Sequence, residues 1–218
     1  MNRLAALVRR EFWENKGALR TTPLVIGGIY IAFLLMGLFT TAHFDNEMYT
    51  FREAIRLLAS QPEELRAAHG YDVLLGSSFL FTVVLAFVVF FYLLGALYDD
   101  RKDRSILFWK SLPASDTVTI ASKLFTAMVL APLIFWVVFI VTQILMAIIA
   151  SLMVLSVGEN PWTLFLSVVN QFKAWAMVLA SYLAESIWFL PLHGWLLLVS
   201  AFAPRIPLLF AVLPPVIF

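Results

Sequence analysis

The chain contains no cysteine, which excludes disulfides and thiolate metal sites but leaves the redox compartment open. Histidine is scarce: His43, His69 and His193 stand far apart in sequence and form no ligand-spaced cluster, so no metal site is expected. Enzymatic signatures are missing as well. There is no G-x-x-x-x-G-K-[ST] phosphate loop, no H-E-x-x-H and no G-x-S-x-G. Ser77-Ser78 beside Gly76 reads better as small residues for close helix packing than as a serine nucleophile. No internal repeat and no linker divides the 218 residues, so a single domain over 1–218 is expected. Charge is the most telling shortage. Charged residues make up 13% of the chain, against about 25% in a soluble domain.

What fills the space is apolar: 62% of residues, with mean hydropathy +0.90. Such a chain cannot cover a core with polar surface, so its solvent must be lipid. The expected fold is all-α, a polytopic transmembrane helical bundle with an N-terminal interfacial amphipathic helix. Residues 2–20 carry Arg3, Arg9, Arg10, Lys16 and Arg20, with Leu4, Leu7, Val8 and Phe12 at helical spacing. That pattern suits a basic helix in the membrane interface, or the positive flank of a first span. The apolar run Pro23 to Ala42 is too long for a signal-peptide core and lacks a small-x-small site, so it is read as a retained span.

Residues 43–72 are polar, with Met48, Phe51, Ile55 and Leu58 forming one apolar stripe, and a surface helix is expected there. Pro62 can open a second short helix before the next span, Val73 to Leu97. From Val118 to Val157 only Lys123 and Gln143 interrupt the apolar sequence. Forty helical residues measure about 60 Å, twice the hydrocarbon thickness. With no Gly or Asn turn inside, one long helix bent at Pro132 is expected, its first turns (Thr117, Thr119, Ser122, Lys123) in the interface. Gly158-Glu159-Asn160-Pro161 breaks it, and a short interfacial helix runs to about Phe172. A fourth span covers Ala174 to Ala203. A fifth run begins at Ile206 and stops at Phe218, too short to cross. About five hydrophobic segments are thus visible, and the chain is expected to be truncated at its C-terminus.

Lys and Arg set the orientation. The N-terminal segment and residues 99–123 carry five each, against three in 43–72 and one, Lys173, in 158–173. The N-terminus, the 99–123 segment and Arg205 are expected in the cytoplasm, and the other two loops outside.

The segment after the second span is more than a connector. Ser105 to Ser111 can form about two helical turns displaying Ile106, Phe108 and Trp109 beside Lys110. Leu112-Pro113 ends them, and Ser115 or Asp116 caps the next helix. A stub tipped with aromatics and rimmed by charge suits docking into a cleft. The alternative is that Phe108 and Trp109 dip into the headgroup region.

The run Asp100-Arg101-Lys102-Asp103-Arg104-Ser105-Ile106-Leu107-Phe108-Trp109-Lys110-Ser111-Leu112-Pro113-Ala114-Ser115, followed by Lys123, resembles the signature loop of ABC-2 type exporter permeases. Arg101, Ser105, Ser111-Leu112-Pro113, Ser115 and Lys123 match the pattern. Arg104 departs where the family often has Gly, and Lys110 where it is often apolar. The resemblance covers about 20 residues as a motif and most of the chain as layout, and implies six spans in a full chain. It implies that Arg101, Asp103, Arg104, Ser105, Ile106, Phe108, Trp109, Lys110, Leu112 and Pro113 belong to a loop that contacts a separate nucleotide-binding ATPase. ATP and Mg²⁺ would be held by that partner, and this chain would bind no cofactor of its own. Two permease chains, identical or different, would pair around the transport path in a bacterial inner membrane, with no nucleic-acid partner. The missing phosphate loop agrees with that division of labour.

One carboxylate remains. Glu185 lies near the middle of the fourth span, where a charge costs at least about 2.5 kcal/mol. Ser181, Tyr182 and His193 fall roughly on its face, with Pro191 able to kink the helix between them. Tyr182, Glu185 and His193 read either as a stripe on a translocation path or subunit contact, or as a structural carboxyl bonded to a neighbour such as Gln143. The rival to an exporter subunit is a membrane scaffold or an intramembrane enzyme. The latter would need a second catalytic group converging on Glu185 or His193. No feature of the sequence singles out a substrate.

Overall fold

The computed structural model describes residues 3–43, 45–103, 115–156, 158–161 and 168–217, apart from the side chains of 3, 41, 42, 45–48, 168–170 and 214–217. All regular structure among the described residues is helical. The helices are α1 (Arg3–Glu14), α2 (Thr22–His43), α3 (Asp45–Ser60), α4 (Glu63–Ala96), α5 (Tyr98–Lys102), α6 (Asp116–Phe125), α7 (Ala131–Ser156), α8 (Val168–Trp188), α9 (Leu190–Phe202) and α10 (Pro207–Ile217). Three helical stretches are long and apolar enough to cross a membrane: Gly17–Thr40, Glu63–Lys102 and Asp116–Ser156. The α8–α9 pair makes a fourth if its two arms are one span. Helix α10, at 11 residues, is too short to cross. Only 17% to 33% of each apolar window is buried. Side chains such as Phe33, Phe87 and Phe202 therefore present bare hydrocarbon outward, which water would not tolerate on this scale.

Local chemistry accounts for the breaks. Pro23 follows closely on a π-helical turn at Gly17–Thr21, whose wider winding accommodates the ring inside the continuous stretch Gly17–Thr40. The helix over 116–156 is continuous, and its irregularity is a π-helical turn at Thr126–Leu130, immediately before Pro132. The wider π turn makes room for a ring that would otherwise press on the carbonyl four residues back. Gly158 ends α7 with φ +85°, a left-handed conformation that a side chain resists. Its N–H bonds Leu155 O at 3.1 Å and the Glu159 N–H bonds Val154 O at 3.3 Å, closing the helix with a Schellman turn. Between α8 and α9 the axis turns by 56° at Phe189, just ahead of Pro191, as the proline led us to expect.

Pro62 does not open a separate short helix. The helix it precedes starts at Glu63 and runs without interruption to Ala96. No residue between them forces a stop, and Gly70 and Gly76 cost a helix only about 1 kcal/mol each.

The chain gathers into two compact units of non-contiguous segments: residues 1–21, 82–134 and 181–218 in one, 22–81 and 135–180 in the other. In the second unit, Ile55 of α3 packs on Val154 with the partly buried Phe51, Leu58 and Ala59 around them, so three residues of the stripe read from the sequence share one contact. Tyr30 stacks on Phe81, which meets Phe139 edge to face, and the Tyr30 hydroxyl donates to Ser77 O at 2.8 Å. Gly27 is where α2 passes Thr142 too closely for a side chain. Gln143 donates to Ser77 Oγ, and Trp136 Nε1 donates to Trp175 O at 2.8 Å. The hydroxyls of Ser77 and Ser78 turn back onto the carbonyls of Leu74 and Leu75, as packing residues do.

Candidate functional site

The first unit holds two features with chemistry. One is a buried charged cluster at the base of the 99–123 segment. Glu11, on α1, and Lys123, on α6, are 1% and 2% exposed. Lys123 Nζ reaches Glu11 Oε1 at 3.0 Å and Asp100 Oδ2 at 3.0 Å. The second Glu11 oxygen accepts from the Tyr92 hydroxyl of α4 at 2.8 Å. Arg10 closes the circuit, with Nη2 at 3.3 Å from Asp100 Oδ1 and Nε at 3.0 Å from Glu14 Oε1. Three acids, Glu11, Asp100 and the more exposed Glu14, thus face two bases, and the desolvation of the buried members is offset because each has a partner of opposite charge. The cluster clasps α1, the end of α4, α5 and α6 together, and α1 packs along α6 accordingly.

Lys123 is not left to solvent or headgroups. Its ammonium is buried in protein, because two carboxylates meet it there. Arg10, Glu11 and Tyr92 were not singled out in the sequence. A signal for Glu11 exists: it is an acid in a basic segment and continues the Leu4, Val8 spacing that should be apolar.

A second set of bonds fastens α5 to the far end of α9. Arg101 Nη2 donates to Ser200 O at 2.8 Å and to Ala203 O at 3.0 Å. A cation there complements the carbonyl end of the helix. Ser200 Oγ in turn accepts from the N–H groups of Leu97 and Tyr98, both at 2.9 Å, where α4 gives way to α5. The Tyr98 hydroxyl donates to Arg205 O at 2.7 Å. Ser115 rather than Asp116 caps α6, its Oγ accepting from Val118 N. Asp103 is exposed and its N–H closes α5 on Asp99 O at 2.9 Å. Arg104, Ser105, Ile106, Phe108, Trp109, Lys110, Leu112 and Pro113 lie outside the described residues.

The other feature is a cavity of about 460 Å³ that brings Tyr182, Glu185 and His193 together, as the sequence suggested. Residues of α4 (Leu85, Val89, Phe90) and of α8 and α9 form its walls, with Pro132 and Leu208. Tyr182, Glu185 and Ser186 lie three and four residues apart on one face of α8, and Phe189 follows just past its end. The helix bends at Phe189, but the Phe189 and His193 N–H groups still bond Glu185 O and Phe189 O, at 2.8 and 2.9 Å. Comparison with protein-family models, with curated proteins and with solved structures returns no match.

Proposed function

We propose that the chain is the membrane-spanning permease subunit of an ABC-2 type export system in a bacterial inner membrane. Its substrate would move at the expense of ATP hydrolysed by a separate ATPase subunit. The observation that carries this reading is the fastening of the charged segment's base. A plain connector between two helices has no need of a charged clasp built on a buried Glu11–Lys123 pair on one side and a helix-end clamp on the other. A lever does. Force applied to residues 104–113 passes through Asp100 and Lys123 to α1 and α6, and through Arg101 to α9, which leads back to the Glu185 cavity.

The motif divides accordingly. Asp100, Arg101 and Lys123 secure the lever, whereas Ile106, Phe108 and Trp109 form the contact with the ATPase, which would hold ATP and Mg²⁺. The same bonds gather α1, α5 and the Pro204–Ile206 turn, three segments that the positive-inside pattern assigns to one side. That side is the cytoplasm, with α1 at the interface. The exposed apolar helix faces meet lipid and a second permease chain.

The test is affinity purification of the tagged chain from its native membrane. The wild type should bring down a nucleotide-binding ATPase. Trp109→Ala should insert normally yet bind it about thirtyfold more weakly, as expected for a lost aromatic anchor. Absence of any ATPase with the wild-type chain would refute the reading. Equal capture by Trp109→Ala would place Trp109 in the headgroup region instead.

A further inference from the structure

The cavity beside Glu185 has a chemistry that narrows its ligand. Its volume, about 460 Å³, falls within the range of small-molecule sites. Its wall is aliphatic and aromatic almost throughout, with few polar groups. Of these, the Ser186 hydroxyl is already engaged, donating to Tyr182 O at 2.8 Å. His193 is 6% exposed and its Nδ1 is buried without a hydrogen-bond partner among the described residues. The Glu185 side chain, half-buried, makes no ion pair or hydrogen bond among the described residues.

A carboxylate in such surroundings lacks the counter-charge that would offset its desolvation. The Glu11 carboxylate in the same unit has a lysine against it; Glu185 has no such neighbour. Phe90, Phe91 and Phe189 line the same space, and aromatic rings attract a cation placed over their faces. A neutral lipid tail would fill the volume but draw nothing from the carboxylate, and an anion would be repelled.

We propose that this cavity binds a lipophilic organic monocation, an apolar and aromatic-tolerant body carrying one positive charge that sits against Glu185. On the exporter reading, that class of molecule is the transported substrate. Binding itself rests only on the cavity and needs no ATPase.

The experiment uses the purified chain in lipid nanodiscs, with empty nanodiscs subtracted. Tetraphenylphosphonium is the probe. Tetraphenylborate, nearly the same shape with the opposite charge, is measured separately. Saturable binding of the cation but not of the borate is expected. Glu185→Gln should weaken cation binding about thirtyfold or more with an unchanged size-exclusion profile. If that variant fails to fold, Ala86→Trp supplies the second test. It fills the cavity from its lipid-exposed rim, leaves Glu185 in place and should abolish binding. Equal binding of the two ions, no saturable cation binding, or unchanged affinity in either variant would overturn the proposal. Cation binding by a chain that captures no ATPase would sink the exporter reading and leave the site standing; the converse would do the opposite.

Discussion

Replacing Lys123 by Met tests the clasp directly. The substitution keeps an unbranched chain of similar length and removes the ammonium that lies 3.0 Å from both Glu11 and Asp100. What remains is one base, Arg10, already paired with Glu14 at 3.0 Å, whose Nη2 is 3.5 Å from Glu11 and 3.3 Å from Asp100. Glu11, at 1% exposure, has no water to turn to and keeps only the Tyr92 hydroxyl and that longer contact. Breaking a buried pair by removing one partner costs about 3–5 kcal/mol. At about 2–4 °C per kcal/mol for a chain of this size, the midpoint should fall by about 6–20 °C. Because such unfolding is often irreversible, wild type and variant are compared at one scan rate in one detergent. The decisive comparison is with the double variant Glu11→Gln/Lys123→Met. It removes one acid and one base and leaves Arg10 and Asp100 paired, so it should be more stable than Lys123→Met alone despite carrying an extra substitution. A midpoint for Lys123→Met within about 1 °C of wild type, at most about 0.5 kcal/mol by the same conversion, would refute the argument. So would a double variant whose loss equals the sum of the two singles.

Arg101→Ala should expose the end of α9 by stranding the carbonyls of Ser200 and Ala203, at a cost of about 1.5–3 kcal/mol for bonds to a charged donor. Faster proteolysis at the Pro204–Ile206 turn would report it, Arg101→Lys should recover only part, and unchanged cleavage would show that the contact does not hold α9. Topology follows from charge: reporters fused after Arg20, within 101–103 and at Arg205 should all read cytoplasm, and one at Glu159 should read outside. A cytoplasmic Glu159 would mean that the 116–156 helix does not cross.

Much of the helix layout was legible because its causes are local. Hydrocarbon length and proline or glycine sterics act over a few residues. That is why the span after Pro23, the break at Gly158 and the bend before Pro191 could be read from neighbours alone, while the choice of Ser115 over Asp116 as the cap was left to the structure. The alignment of Tyr182, Glu185 and His193 was legible for the same reason, since three residues on one bent helix need no other element to share a face. Pro62 misled because a helix start does not reveal how far the helix will run.

The partners were not legible, because charge pairing ignores sequence distance. Lys123 meets a glutamate 112 positions earlier, and nothing within a helical turn of either residue announces the other. An isolated lysine near a span reads equally well as an interfacial anchor or as half of a buried pair; only the packing of α1 on α6 decided for burial. Arg101, part of the signature resemblance, likewise acquired a local task when α9 ended within its reach. Composition and period determined that this chain carries helices long and apolar enough to cross a membrane, and largely where they lie. Which charges face one another, and what surrounds the carboxylate at 185, depended on helices brought together from distant parts of the chain.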